Sequence, residues 1–220
     1  MLISLINLKG GSGKTTYSKE LAALLAEFGL LAKGLDLNPE NGDFGAWAEL
    51  ATLPCRSLYP ADLGLLEQAA KGKQTYIADC PPWEGEETRT ALAYSAGILV
   101  PVGPSPQDLR GLGRTLDLVR AAKANANPEL RVAILGTNYR ANTGWWRSWA
   151  AAVEAAASPE EGIFFAGLVQ ERQGLVDAFG RGVAACQQPN AAGVEVREAM
   201  LRVVEILGLG IPAPVVQEVL

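Results

Sequence analysis

The sequence predicts an α/β fold: a mostly parallel, twisted sheet with helices on both faces, in one domain. Three observations predict it. Short apolar runs with strand character alternate with segments of helical period along the whole chain. The first such run leads through a glycine-rich turn straight into a helix. Two later runs end on an aspartate, and in open parallel sheets ligands gather at the carboxyl ends of strands.

The elements follow in order. Met1 to Ile6 is a short buried strand. Thr15 to Phe28 has apolar residues at helical spacing, and Gly29 closes it as a C-cap. Leu30 to Leu35 is the second strand, ending at Asp36. Cys55 to Tyr59 is a short edge strand. Ala61 to Ala70 is helical and stops at Gly72. Thr75 to Ala78 is a strand ending at Asp79. Ile98 to Val102 is a strand that enters a proline-rich turn, Pro101 to Pro106, and Leu109 to Ala124 is the next helix. Arg131 to Leu135 is a strand and Trp145 to Ala157 a helix. Ile163 to Leu168 is the last strand and Val194 to Leu207 the last long helix. The domain therefore runs over residues 1–207. Residues 208–220 read as a tail, in which Pro212 and Pro214 prevent a continuous helix.

Composition bounds the function. The chain has 220 residues, 49% hydrophobic and 20% charged, enough for a substantial core. Met1 leads into the strand with no basic n-region, so no signal peptide is expected. No apolar run reaches the roughly 18–20 residues of a membrane span. Cys55, Cys80 and Cys186 are odd in number and widely spaced, which fits free thiols in a reducing cytoplasm. There is no histidine, which argues against zinc and removes the commonest general base. Any catalysis must run on carboxylates, lysines or bound metal. The net charge of −5 repels nucleic acid on average, so DNA binding would need a local patch.

The most specific signal is Lys9-Gly10-Gly11-Ser12-Gly13-Lys14-Thr15-Thr16, between strand and helix. Glycines let backbone N–H groups turn inward as an anion nest, and the helix N-terminus favours negative charge. This is a phosphate-binding loop, so the fold is that of a P-loop NTPase. Lys14 would reach the β- and γ-phosphates of ATP and the Thr15 hydroxyl would bind Mg²⁺. The strict pattern Gly-x-x-x-x-Gly-Lys-Ser/Thr is broken, because Leu8 stands at its first glycine. Lys9 is a surplus cation at the mouth of the loop. Asp79, followed by Cys80-Pro81-Pro82, has the layout of a Walker-B aspartate, which holds Mg²⁺ through water. Asp36 ends the second strand and opens Asp36-Leu37-Asn38-Pro39-Glu40.

With both lysines and the threonine pair in place, the chain resembles the ParA/MinD family, whose deviant loop carries a signature lysine. It is most similar to the small plasmid-partition ParA ATPases that lack an N-terminal DNA-binding domain, from Met1 to about Leu207. The resemblance implies a homodimer in the ATP state, with Lys9 crossing to the phosphates of the partner subunit and acting there as an arginine finger does. It implies nonspecific DNA binding by that dimer, and hydrolysis stimulated by a ParB-like centromere-binding partner. It places Asp36 near the Mg²⁺ shell, Asp79 at the start of switch II, and Asn138 beside the adenine, with Gln170 to Gln173 as the other wall.

The family pattern at 36–40 is Asp-x-Asp-Pro-Gln, so Asn38 departs from it. In the family the residue before the proline orients the attacking water and can take its proton. An amide accepts a hydrogen bond from water but is no base. Three readings stand: very slow hydrolysis with a long-lived ATP dimer, a weak ATPase in which Asp36 or Glu40 positions the water, or an engineered trap for the ATP state. Loss of one such group costs about 10²–10⁴ in rate. An ATP-binding switch or scaffold with little turnover is the alternative function. A membrane-positioning ATPase would need a basic amphipathic tail, and Ile211 to Leu220 has no basic residue, so no membrane partner is expected. A dethiobiotin-synthetase-type enzyme shares the fold but needs substrate residues not found here.

Two groups of residues keep several readings. Trp145, Trp146 and Trp149 with Arg140 and Arg147 form an aromatic–basic group, with Trp145 and Trp149 on one helix face. It reads as packing on the sheet, as an interface hot spot or as a nucleic-acid stacking surface. Arg172, Arg181, Arg197 and Arg202 are either a DNA patch doubled by dimerisation or a solvated face.

Overall fold

The apolar run at the start of the chain forms β1 (Leu2–Leu5), and the phosphate loop joins it to α1 (Lys14–Glu27). There follow β2 (Ala32–Asp36), α2 (Asp43–Leu50), β3 (Cys55–Ser57), α3 (Gly64–Lys71), β4 (Thr75–Asp79) and α4 (Glu86–Tyr94). The second half contains β5 (Gly97–Val102), α5 (Pro106–Asn125), β6 (Arg131–Tyr139), α6 (Trp146–Glu154), β7 (Ile163–Gln170), α7 (Gln173–Phe179) and α8 (Ala191–Leu207). This computed structural model describes residues 1–30, 32–142 and 144–210. Gly208 caps α8 in the left-handed conformation, and Leu209 is buried. Leu31 in the expected second strand, Thr143, and residues 211–220 of the expected 208–220 tail lie outside the described residues.

The seven strands pair in the order β3-β2-β4-β1-β5-β6-β7, and every pairing is parallel. The carboxyl ends of β1, β2 and β4 therefore lie side by side, with Leu5, Asp36 and Asp79 in register. Side chains alternate across the pleat. Ile3 and Leu5 of β1 face one layer, with Tyr17 and Leu21 of α1, Trp47 of α2 and Met200 of α8. Leu2 and the following Ile6 face the other, with Leu66 of α3, Leu92 of α4, Leu116 of α5 and Trp149 of α6. Helices cover both faces, as the alternation predicts.

Several elements differ from expectation. Helices α2, α4 and α7 are additions in segments where no element is expected. Helix α5 begins at Pro106, three residues early, because Ser105 accepts from the Asp108 N–H at 3.1 Å and proline suits the first helical position. Strand β6 runs on to Tyr139 through an irregularity against β7, so Asn138 lies at the end of the strand, with φ 56. Trp145 and Trp149 lie one helical turn apart, the Trp149 N–H donating to the Trp145 carbonyl at 3.1 Å, but only Trp149 is buried. Trp145 precedes the first turn of α6 and is exposed, whereas Trp149 is buried against Tyr139, ring centroids 6.1 Å apart. Trp146 also lies on Tyr139, at 5.3 Å, so most of this aromatic group packs onto the sheet.

Candidate nucleotide site

Gly11 and Gly13 have φ of 74° and 99°, a conformation only glycine adopts without strain. Gly13 is the N-cap of α1, so the first N–H groups of the helix open onto the loop. The loop is anchored at three points. The buried Asn7 amide donates to the Pro101 carbonyl at 2.7 Å and accepts from the Lys9 N–H at 2.9 Å. The Leu8 N–H donates to the Thr115 hydroxyl of α5 at 3.1 Å, and the Thr137 hydroxyl of β6 donates to the Ser12 carbonyl at 3.2 Å. Thus β5, α5 and β6 all hold the loop in shape. The Lys14 ammonium is nearly buried and donates to the Lys9 carbonyl at 3.3 Å. Burial pulls its pKa down, with Asp79 opposing. The Lys9 ammonium turns to the Gly10 carbonyl at 2.7 Å.

Asp79 is 3% exposed and accepts from the Thr15 hydroxyl at 2.6 Å and the Ser18 hydroxyl at 2.9 Å. Burial pushes its pKa up to about 6, and the two hydroxyls hold it below what burial alone would give. Asp36 is 1% exposed, and its two oxygens accept from the N–H groups of Asn38, at 2.9 Å, and Gly45, at 3.2 Å. It braces the loop between β2 and α2. A cleft of about 290 Å³ opens over the phosphate loop, walled by Gly10 to Thr16, Asn38, Asn41, Asp43, Cys80, Pro82 and Asn138. A second cavity, about 470 Å³, adjoins it across Thr15, Thr16, Asp43 and Asn138, and reaches Lys19, Glu171, Arg172 and Leu175. Among the described residues no group of three His, Cys, Asp or Glu is gathered for a metal. The hydroxyl of Thr15 and the carboxylate of Asp79, hydrogen-bonded to each other beside the phosphate loop, fit Mg²⁺, which keeps several waters and is bound by one or two carboxylates plus substrate phosphates.

The model of the CobQ/CobB/MinD/ParA nucleotide binding domain matches residues 3–184. The chain belongs to that family. It is 27% identical over 164 residues to the maintenance of carboxysome distribution protein A of Halothiobacillus neapolitanus, covering 71% of this chain and 75% of that protein. It is 30% identical over 175 residues to the chromosome-partitioning ATPase Soj of Thermus thermophilus, covering 64% and 70%. Among solved structures, an ATP complex of McdA from Cyanothece superposes with a TM-score of 0.71 at 16% identity, covering 94% of this chain and 96% of that one. A putative plasmid partition protein of Borrelia burgdorferi bound to AMPPNP gives 0.70 at 13% identity, over 93% and 98%. At these identities the structures show the fold alone, a MinD/ParA-like P-loop domain.

Within this family member the structure brings together most residues singled out from sequence. The loop residues, Asn38 and Asn138 meet around one cleft, and Glu171 and Arg172 stand across the second cavity from Asn138. Lys9, Asp36 and Asp79 do not line the phosphate-loop cleft, although Asp79 accepts from the Thr15 hydroxyl of its wall. Glu40, weighed as a substitute for the missing carboxylate, is exposed and does not line it either. Sequence reasoning missed Asn7, Thr115 and Thr137, which act through hydrogen bonds over long separations that no local pattern signals. It also missed Asn41, Asp43 and Lys19. Lys19 had a signal, since it lies one helical turn beyond Thr15 and Thr16 on α1.

Two of the four late arginines are ion-paired within the chain. Arg172 pairs with Glu195 at 2.8 Å and Arg197 with Glu27 at 2.6 Å, while Arg181 donates to the Asp177 carbonyl at 3.3 Å. Arg140 is paired with Glu171.

Proposed function

We propose that this chain is an ATP-dependent, dimerising ATPase that segregates DNA, with ATP at the phosphate loop and each Lys9 contacting the nucleotide of the other subunit. The observation that carries this reading is the division of labour between the two loop lysines. Lys14 is nearly buried in the cleft of its own chain, whereas the Lys9 ammonium stands at the exposed mouth of the loop on the Gly10 carbonyl, which suits a cation aimed at a second copy. The family membership and the likeness to a chromosome-partitioning ATPase support it.

In this mechanism the backbone N–H groups from Gly10 to Thr16 bind the phosphates, with Lys14 on the β- and γ-phosphates. Thr15, Asp79 and, through the loop it braces, Asp36 would hold Mg²⁺, which neutralises charge on the β- and γ-phosphates when bound. The Thr15 hydroxyl, now donating to Asp79, would turn its oxygen toward the cation. Lys9 of each subunit would stabilise charge that develops on the transferred phosphoryl group. Asn138 would border the adenine, since an amide both donates to and accepts from a base edge. The ATP dimer would bind nonspecific DNA, and a ParB-like partner would stimulate hydrolysis and release it.

Gel retardation of nonspecific DNA tests the reading. Binding should require ATP, vanish with ADP, and fall at least about tenfold between 50 and 200 mM salt. Retardation without nucleotide, or none with ATP, would sink it. A second reading, an ATP-binding switch with little turnover, is favoured by Asn38, whose neutral amide stands in the cleft wall.

A further inference from the structure

We propose that Asp43, at the start of α2, is the carboxylate that takes the proton from the attacking water. The inference rests on the ATPase reading above. Transfer of a phosphoryl group to water needs a residue that orients the water and accepts its proton. Five carboxylates are near enough in sequence or space to be weighed, and Glu171 is paired with Arg140 outside the phosphate-loop cleft. Both oxygens of Asp79 accept from hydroxyls of α1, and both oxygens of Asp36 accept from backbone N–H groups. Glu40 is exposed and outside the cleft. Asp43 remains. Among the described residues lining the cleft it carries the one carboxylate, and it also lines the adjoining cavity beside Thr15 and Thr16.

The local fold explains the placement. The Asn38 carbonyl accepts from the N–H groups of Asn41 and Gly42, at 3.1 and 3.2 Å. Gly42 then takes φ 64 as the N-cap of α2, and Asp43 is the first helical residue. The tight turn from 38 to 42 brings α2 back against α1, and Asp36 accepts from an N–H on either side of it, at Asn38 and Gly45. Asn38 and Asn41 stand in the same wall and supply amides that hydrogen-bond water without removing its proton. In the proposed step the water oxygen bonds to the γ-phosphorus, the bond to the β,γ-bridging oxygen breaks, and ADP leaves with that electron pair. The water's proton passes to the Asp43 carboxylate and from there to solvent.

The test is single-turnover ATP hydrolysis by the full chain, by Asp43→Asn and by Asp43→Asn with Asn38→Asp. ATP affinity and ATP-dependent dimerisation are read on the same samples. Asp43→Asn should slow hydrolysis about 10²–10⁴-fold, with ATP affinity held to within about twofold, the pattern of a group that acts only in the transition state. Restoring a carboxylate at position 38 in that background should recover at least about tenfold of the rate, which a merely structural defect at α2 would not allow. Unchanged hydrolysis in Asp43→Asn overturns the proposal, as does a wild-type chain that binds ATP and never hydrolyses it. Loss of ATP-dependent dimerisation in the wild type would instead count against the function proposed above.

Discussion

Lys19 is 7% exposed, and burial pulls its pKa down to about 8, with the charges of Glu20, Asp79 and Asp43 opposing the shift. The sign of its effect on stability follows. Below pH 8 the ammonium is charged in both folded and unfolded chains, and the fold bears the full cost of burying it. Between about 8 and 10.5 the folded chain has lost the proton that the unfolded chain keeps, so this group's contribution to stability rises with pH. The span corresponds to a cost on the order of 3 kcal/mol at neutral pH. Lys19→Met keeps the stem and removes the charge. In urea titrations it should exceed the wild type by about 1–3 kcal/mol at pH 7, and the gap should close toward pH 10.5. A gap that stays constant with pH would show that the charge is not the source. The lysine is retained at this cost in a cavity that opens onto the phosphate loop, where an anionic ligand would offset it.

At the level of elements, β2 is held tightly between its neighbours. A Cβ built on Gly34 would stand 2.6 Å from the Cys55 sulfur of β3 and 2.9 Å from the Phe44 ring of α2. Gly34→Ala should therefore cost about 1–3 kcal/mol in urea unfolding, since an overpacked strand must shift. Wild-type stability in this variant would mean that the edge strand yields freely. The same element shows what was legible beforehand. Strands β1, β4, β5 and β6 announce themselves as apolar runs because both of their faces are covered by helices. Helix α2 buries only Phe44, Trp47 and Ala48, and α4 only Thr88, Ala91 and Leu92, too little to mark an apolar stripe. The start of α5 was readable from Ser105 and Pro106 as a cap and first turn. The phosphate loop was legible because its chemistry is local, eight consecutive residues. Asp43 was not, because its place beside Thr15 depends on how α2 folds back over α1, a tertiary fact.

On the scale of the whole molecule, the proposed dimer makes ATP part of an interface, which predicts how stability responds to concentration. Any ligand bound by the folded state alone stabilises it, by about 2.7 kcal/mol at a hundredfold excess over its dissociation constant. For a chain of this length that is a rise in Tm of about 5–10 °C. A monomeric ATP-binding protein would show that rise at every protein concentration. A dimer closed over ATP adds a second term, because association is itself concentration-dependent, so Tm with Mg-ATP should climb as the protein is concentrated, while Tm with Mg-ADP should not. Lys9→Ala separates the two terms. Lys9 does not line its own cleft, so the variant should keep the nucleotide-induced rise and lose the dependence on concentration. Lys14→Ala removes a cation from the cleft itself and should lose both. Concentration-dependent stabilisation that survives in Lys9→Ala would place the dimer contact elsewhere, and Tm values with ATP that never depend on concentration would leave this chain a monomeric nucleotide-binding protein.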